Sequence, residues 1–249
     1  MSTIANAGMR GADVRSDCWV LVEQSNTPSL EIKSKVETLY GDAIRKTIEA
    51  TLAALDASDL SVTVEDSGAL PFTIMARIEA AVKRLRPEST RECLPDLNPV
   101  AQYSIPRERL RRTRLYLPGN TPKFFVNAGL HKPDAVILDL EDAVSPDEKD
   151  TARILVRNTL RAVNFYGAEK MVRINQLPRG LDDARALIPH SVHTFLVPKV
   201  ESADEVREVE SVIASREAAK QSPSGSGIAS SQKTLLAMTT RMRGWPSGV

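Results

Sequence analysis

Three carboxylates and two bases stand where they could do chemistry together. Asp139, Glu141 and Asp142 close the stretch Asp134–Val144, DAVILDLEDAV. The stretch begins with Ala135-Val136-Ile137-Leu138, a short apolar run without alternation, which predicts a strand buried on both faces. Carboxylates at the end of such a strand do not serve packing, because buried charge is costly unless it is paired or binds a metal. Arg173 and Asn175 end a second run, Met171-Val172-Arg173-Ile174-Asn175, and Lys199 ends a third, Thr194-Phe195-Leu196-Val197-Pro198-Lys199. In parallel α/β folds the chemistry gathers at the C-terminal ends of strands, so these residues are expected on one rim. Two plainer readings stay open. The carboxylates could be solvated loop groups that cap the next helix, and Arg173 and Lys199 could merely neutralise them.

The surrounding elements fit such a rim. Arg114-Leu115-Tyr116-Leu117 reads as a strand closed by Pro118-Gly119-Asn120, and Thr121-Pro122 opens a helix with proline in the tolerated first turn. Ser145 as N-cap, Pro146 in the first turn and Glu148 placed for a capping box start another helix, through Ala152, Leu155, Val156, Leu160 and Val163. Ser202 caps a charged helix over 203–219, and Lys233–Met238 starts a fifth strand. Strand–helix alternation with short loops predicts a parallel sheet or a (β/α) barrel.

A smaller module precedes it. Residues 1–13 read as a loose lead-in. Cys18–Val22, the alternating Leu30–Val36 and Ser61–Glu65 read as strands. Gly41 precedes one helical pattern (Ile44, Ile48, Leu52, Leu55), and Ile74, Ile78, Ala81, Val82 and Leu85 mark another. The order β-β-α-β-α describes a sheet covered by two helices, with Arg15-Ser16-Asp17 at the mouth of its first strand. Between the modules, Pro87, Pro95, Pro99 and Pro106 break regular structure, so 87–106 is expected to be a solvated, flexible tether. A basic run, Arg107 through Arg114, follows it.

Lys and Arg number 33 against 32 Asp and Glu, which gives no electrostatic footprint for nucleic acid. Cys18 and Cys93 lack metal spacing and fit a reducing compartment. No apolar stretch is long enough to span a bilayer, and MSTIANAGMRG lacks an apolar signal core, so a cytoplasmic protein is expected.

Two resemblances sharpen this reading. RSDCWV, KVETLYGDAIRKTI and VTVEDSGALPFTIMARIEAAVKR, over about residues 10–86, resemble the acyl carrier (gamma) subunit of citrate lyase. The resemblance implies a phosphoribosyl-dephospho-coenzyme A prosthetic group on a serine beside an aspartate, and Ser16 is the matching residue. Many carriers have one residue between that serine and the aspartate, whereas Ser16 touches Asp17 directly. An ungapped match would select Arg15, which cannot be esterified by a phosphate group. RTRLYLPGN, AVILDLEDAVSPDEKDTAR, VRIN and LVPKVES, over about residues 111–238, resemble the citrate lyase beta subunit of the HpcH/HpaI aldolase/citrate lyase family. This implies a (β/α)8 barrel that binds Mg2+ and cleaves a citryl thioester to oxaloacetate and an acetyl thioester. It assigns Arg173 to the substrate oxygens and the enolate. Glu141 and Asp142 become the acidic pair near metal-bound water, without a complete metal site of their own. Arg114, Gly119, Asn120, Asn175 and Lys199 are assigned to the substrate or its thioester arm.

The expected architecture is therefore α/β. A small α+β acyl-carrier domain (10–86) leads through a linker (87–110) to an incomplete (β/α)8 TIM-type barrel (111–238) and an atypical tail (239–249). Implied partners are a citrate lyase alpha subunit acting as acyl transferase and a prosthetic-group transferase, within an oligomer. Thr239 and Thr240 stand where relatives carry an apolar residue and a metal-binding glutamate, and about five of eight strands are legible. A frame change or truncated gene product, inactive alone as a lyase, is the expectation. One alternative is a carrier module with a degenerate barrel. Another is a malyl- or citramalyl-coenzyme A lyase, which the carrier argues against because those relatives use free coenzyme A. Malonate decarboxylase also uses such a carrier but does not explain LDLEDAV.

Overall fold

The computed structural model describes residues 3–220 and 235–240. The N-terminal unit comprises β1 (Ile4–Ala7), β2 (Cys18–Gln24), β3 (Leu30–Ser34), α1 (Glu37–Ala54), β4 (Leu60–Asp66) and α2 (Pro71–Leu85). Its sheet order is β1-β2-β4-β3, antiparallel except for the parallel β3–β4 pair. Strict alternation along β2 and β4 sends Cys18, Val20, Val22, Val62 and Val64 into the core, where both helices cover them. Two expectations are corrected. Residues 4–7, read as loose, pair with β2 from Ile4↔Glu23 to Ala7↔Val20, because strand pairing overrides the weak β propensity of IANA. Gly41 lies inside α1, which starts at Glu37, so the helix tolerates an unfavourable interior glycine.

The second unit alternates β5 (Arg114–Pro118), α3 (Lys123–Ala128), β6 (Ala135–Asp139), α4 (Lys149–Ala162), β7 (Glu169–Arg173), α5 (Arg179–Leu187), β8 (Thr194–Val200), α6 (Ala203–Lys220) and β9 (Leu235–Thr240). The five strands are parallel and sequential, β5-β6-β7-β8-β9. Every residue of β6 is buried, as its unbroken apolar run requires. Val136, Leu138, Val172, Phe195 and Val197 face the helices, while Ala135, Ile137, Met171 and Leu196 cluster on the other face. α5 was not legible: its nine residues, RGLDDARAL, are too few for a clear period. Ser202 does cap α6, with its Oγ accepting from the Glu205 N–H and Glu205 Oε2 accepting from the Glu201 and Ser202 N–H groups. The capping box at Ser145 does not form. A 3-10 turn, Pro146–Glu148, intervenes, and the Glu148 carboxylate accepts from Arg84 and Thr151 instead.

The two units share packing. Phe72 and Ala76 of α2 belong to the core of the second unit. Beside them Arg157 of α4 donates twice to the Glu79 carboxylate, at 3.0 and 2.7 Å, with both side chains essentially buried. The same carboxylate accepts from Lys83 and from the Cys93 N–H, and Asn158 Nδ2 donates to the Phe72 carbonyl. Residues 87–106 are not the flexible tether that the prolines predicted. They form a strap held by the Asn98 N–H to Arg161 O, Arg161 to Pro95 O, Tyr103 Oη to Ala168 O, and Lys170 Nζ to Ala101 O. The prolines bar a helix or ladder, which leaves the strap's carbonyls to long side chains of the second unit.

His193 completes the strap. Its Nδ1 accepts the Lys170 N–H at 2.9 Å and its Nε2 lies 2.9 Å from the Tyr103 carbonyl, so the ring is neutral with its proton on Nε2. Burial pushes its pKa down to about 4. The folded state thus binds fewer protons than the unfolded state between pH 4 and about 6.5, and stability falls as pH drops through that window. Up to about 3 kcal/mol is at stake. Urea midpoints measured from pH 7 to 4 should show this slope, and His193→Gln should flatten it; a parallel slope in the variant would exclude His193 as its source. Glu79→Ala leaves Arg157 with only the half-exposed Glu92 carboxylate and the Asn158 amide, and should cost about 1–3 kcal/mol in urea unfolding. A loss below about 1 kcal/mol would mean that the pair does not hold the units together.

Candidate active site

Register explains why the strand-end residues meet. Asp139 and Arg173 are partners in the parallel β6–β7 ladder and project from the same face. Arg173 grips Asp139 in a fork, Nε to Oδ1 at 2.8 Å and Nη2 to Oδ2 at 2.6 Å. Its remaining nitrogen, Nη1, reaches Glu141 at 3.1 Å and Asp142 at 3.3 Å. The guanidinium lies 5.3 Å over the ring of Tyr116 on β5. Lys199 closes the set, 2.6 Å from Glu141 and 3.2 Å from Asp142. A bulge between Pro198 and Val200 and a left-handed Lys199 backbone (φ 52°) aim its side chain there.

Asp139 also shapes the turn that follows, accepting the N–H groups of Glu141 and Ala143. Lys149 of α4 donates to the carbonyls of Leu140 and Glu141, and Gln176 donates to Glu141 Oε1 at 3.0 Å. The hydrogen bonds to Asp139 raise the pKa of Arg173, so the guanidinium stays charged at every working pH. The hydrogen bonds that Lys199 donates to Glu141 and Asp142 likewise raise its pKa. A cavity of about 240 Å³ opens beside Lys199, lined by Gln176, Leu177, Val197, Pro198 and Glu205.

Arg173, Glu141, Asp142 and Lys199 are therefore together. Gly119 packs under them: its N–H donates to Asp139 O, and a Cβ there would stand 2.7 Å from that same oxygen. Asn120 lies on the adjoining loop. Asn175 does not reach the set, because its N–H and Nδ2 both bind Asp183 Oδ2 and its side chain is buried. Arg114 is at the other end of the sheet. It pairs in register with Ala135, four residues or about 13 Å of strand below Asp139, so it is not part of the strand-end set. Tyr116, Lys149 and Gln176 were missed. Strand alternation from Pro118 back to Tyr116 could have found the first, whereas the other two carry no local signal.

The Ser16 loop meets the same rim. Ser16 is half-buried in a left-handed turn (φ 57°), and its N–H donates to Ser67 O. Asp17 beside it is buried and takes two hydrogen bonds from Arg77 of α2, Nε to Oδ1 at 2.9 Å and Nη2 to Oδ2 at 2.8 Å. Arg77 Nη2 also donates to the Asn120 carbonyl at 2.8 Å. One guanidinium thus ties the turn at Ser16 to the loop after β5.

Residues 112–239, just over half of the chain, match the HpcH/HpaI aldolase/citrate lyase family. The chain belongs to that family. Residues 6–85 match the malonate decarboxylase delta subunit, an acyl-carrier type of domain. Citrate lyase subunit beta of Leuconostoc mesenteroides subsp. cremoris is 43% identical over 112 residues, 44% of this chain and 37% of that protein. Human mitochondrial citramalyl-CoA lyase is 35% identical over 101 residues, 39% and 30% of the two chains. The citrate lyase beta subunit from M. tuberculosis, solved with oxaloacetate and magnesium, is 33% identical, with 40% of this chain and 44% of that one covered at a TM-score of 0.32. The chain thus spans less than half the length of these relatives. No helix among the described residues is long and apolar enough to cross a membrane.

Removing Arg173 strands the buried Asp139, whereas Lys199 is partly exposed. Arg173→Ala should lower unfolding stability by about 3–5 kcal/mol and Lys199→Ala by clearly less, because its ammonium is exposed to solvent. Chemical denaturation of both variants checks this, and equal losses would show that the Arg173–Asp139 fork is not the anchor of the site.

Proposed function

We propose that this chain is a carrier–lyase of the citrate lyase type. Ser16 bears a phosphoribosyl-dephospho-coenzyme A arm, and the strand-end set acts on the citryl thioester that the arm presents. The observation that carries this reading is the shared Arg77, which ties the Ser16 turn to the loop after β5, whose Gly119 N–H donates to the Asp139 carbonyl. In the reaction the citryl hydroxyl gives up its proton and the carbon–carbon bond breaks. Oxaloacetate leaves, and the electron pair stays on the acetyl thioester as an enolate, which a proton then quenches. Arg173 and Lys199 supply the positive charge that holds the enolate oxygen. Glu141 contacts both cations and is the carboxylate placed to exchange the proton.

Relatives from M. tuberculosis were solved with magnesium bound. Among the described residues no group of three His, Cys, Asp or Glu side chains could hold a metal ion. Glu141 and Asp142 are already paired with cations, and a hard cation wants about six oxygens. The described residues therefore do not fit a magnesium centre. The remaining parts of the reading are a cytoplasmic oligomer containing an acyl-transferring alpha subunit and a transferase that loads Ser16. The competing reading, a lyase for free malyl- or citramalyl-coenzyme A, draws on relatives such as the human enzyme. The carrier-type residues 6–85 weigh against it.

The test is intact-mass spectrometry after co-expression with a prosthetic-group transferase. One added prosthetic group is expected, and Ser16→Ala should abolish it. Modification that persists in the variant, or an unmodified chain that still cleaves free coenzyme A thioesters, would overturn the assignment.

A further inference from the structure

Arg77 has a place in this molecule that packing alone does not explain. It is one of the largest fully buried side chains, and it lies on the helix that joins the two units. Its Nε and Nη2 bind the two Asp17 oxygens, and the same Nη2 also binds the Asn120 carbonyl. Two residues on, Glu79 is locked to Arg157 of α4, and further along the helix Arg84 donates to Glu148, the Asp147 carbonyl and the Asn6 carbonyl. Three charged side chains of α2 therefore bind across the junction, with the strap closing over its far end. A carrier that roams on a flexible tether has no such contacts.

We infer that Arg77 is a positioning residue that locks the attachment turn of the carrier to the strand-end loop of its own chain, so that the carrier works from a fixed seat. On this geometry the travel of the acyl group is supplied by the prosthetic arm, and the protein modules stay in place. The lyase rim is then served by the carrier of the same chain. The inference rests on the reading that Ser16 carries the arm, but its test does not.

Two measurements on the full, unmodified chain decide it. In the first, spin labels replace the exposed Asp13 and Arg179, one beside the attachment turn and one beyond β7; the native Cys18 and Cys93 are buried. A single narrow distance is expected, and a broad or multiple distribution would sink the fixed seat. The second is hydrogen exchange on Arg77→Lys, which keeps the charge but replaces the planar two-nitrogen fork on Asp17 with a single nitrogen on a shorter side chain. Exchange at residues 14–18 and 119–121 should rise together by about 10–100-fold, as expected for losing hydrogen bonds to a charged group. Helix α4 should stay protected, because the Glu79–Arg157 pair is untouched. Unchanged exchange in both loops, or a rise of the same size throughout α4, would show that Arg77 is only part of the general packing. Should Arg77→Lys fail to fold, Asp17→Asn replaces it with the same two expectations. If the labels and exchange behave as expected while Ser16 takes up no prosthetic group, the seat stands and the carrier reading falls; the reverse result separates them equally well.

Discussion

The fork between Arg173 and Asp139 is the interaction on which the site depends. Both residues end buried strands, where a lone carboxylate or a lone guanidinium would be strongly unfavourable. Parallel register places them side by side, and the two parallel hydrogen bonds fix the plane of the guanidinium. The plane in turn decides which nitrogen faces outward. Nη1 is left for Glu141 and Asp142, and Lys199 meets the same two carboxylates from the neighbouring strand. The fork also leaves Asp139 with lone pairs for the turn that carries Glu141. Charge and backbone are thus arranged together at one end of the sheet.

This arrangement was legible where it rested on strand periodicity. The apolar run of β6, the positions of Arg173 and Lys199, and the C-terminal rim follow from patterns of a few residues. Interactions between distant segments were not legible. Asn175 satisfies a strand-end polarity pattern, yet its amide is consumed by Asp183 on a helix too short to be read. Arg114 was assigned by its motif, but counting along the strand from Pro118 would have put it at the opposite end. The prolines of 87–106 were correctly read as incompatible with helix and sheet. The inference from irregular to flexible failed because Arg161 of α4, Lys170 of β7 and His193 satisfy the strap's carbonyls.

The junction between the units shows the same limit. A two-helix cover for the first sheet was correctly read from α1 and α2. That α2 has a second buried face was hidden, since Glu79 and Arg77 look like ordinary surface charges in sequence. Their burial is tolerated because each finds an opposite charge on a distant segment, Arg157 for Glu79 and Asp17 for Arg77.

That second face has a consequence for synthesis on the ribosome. Glu79 and Arg157 lie 78 residues apart. At about 5–20 residues per second, helix α2 emerges roughly 4–16 s before the helix that covers it. During that interval Phe72 and Ala76 stand open to water and Glu79 lacks the partner that its final environment demands. The first unit can build its sheet and inner core in order of emergence, but its last helix matures only when the middle of the second unit has left the exit tunnel. The inner face of α2 can pack on the first sheet as it emerges, and its outer face is covered only once α4 has followed.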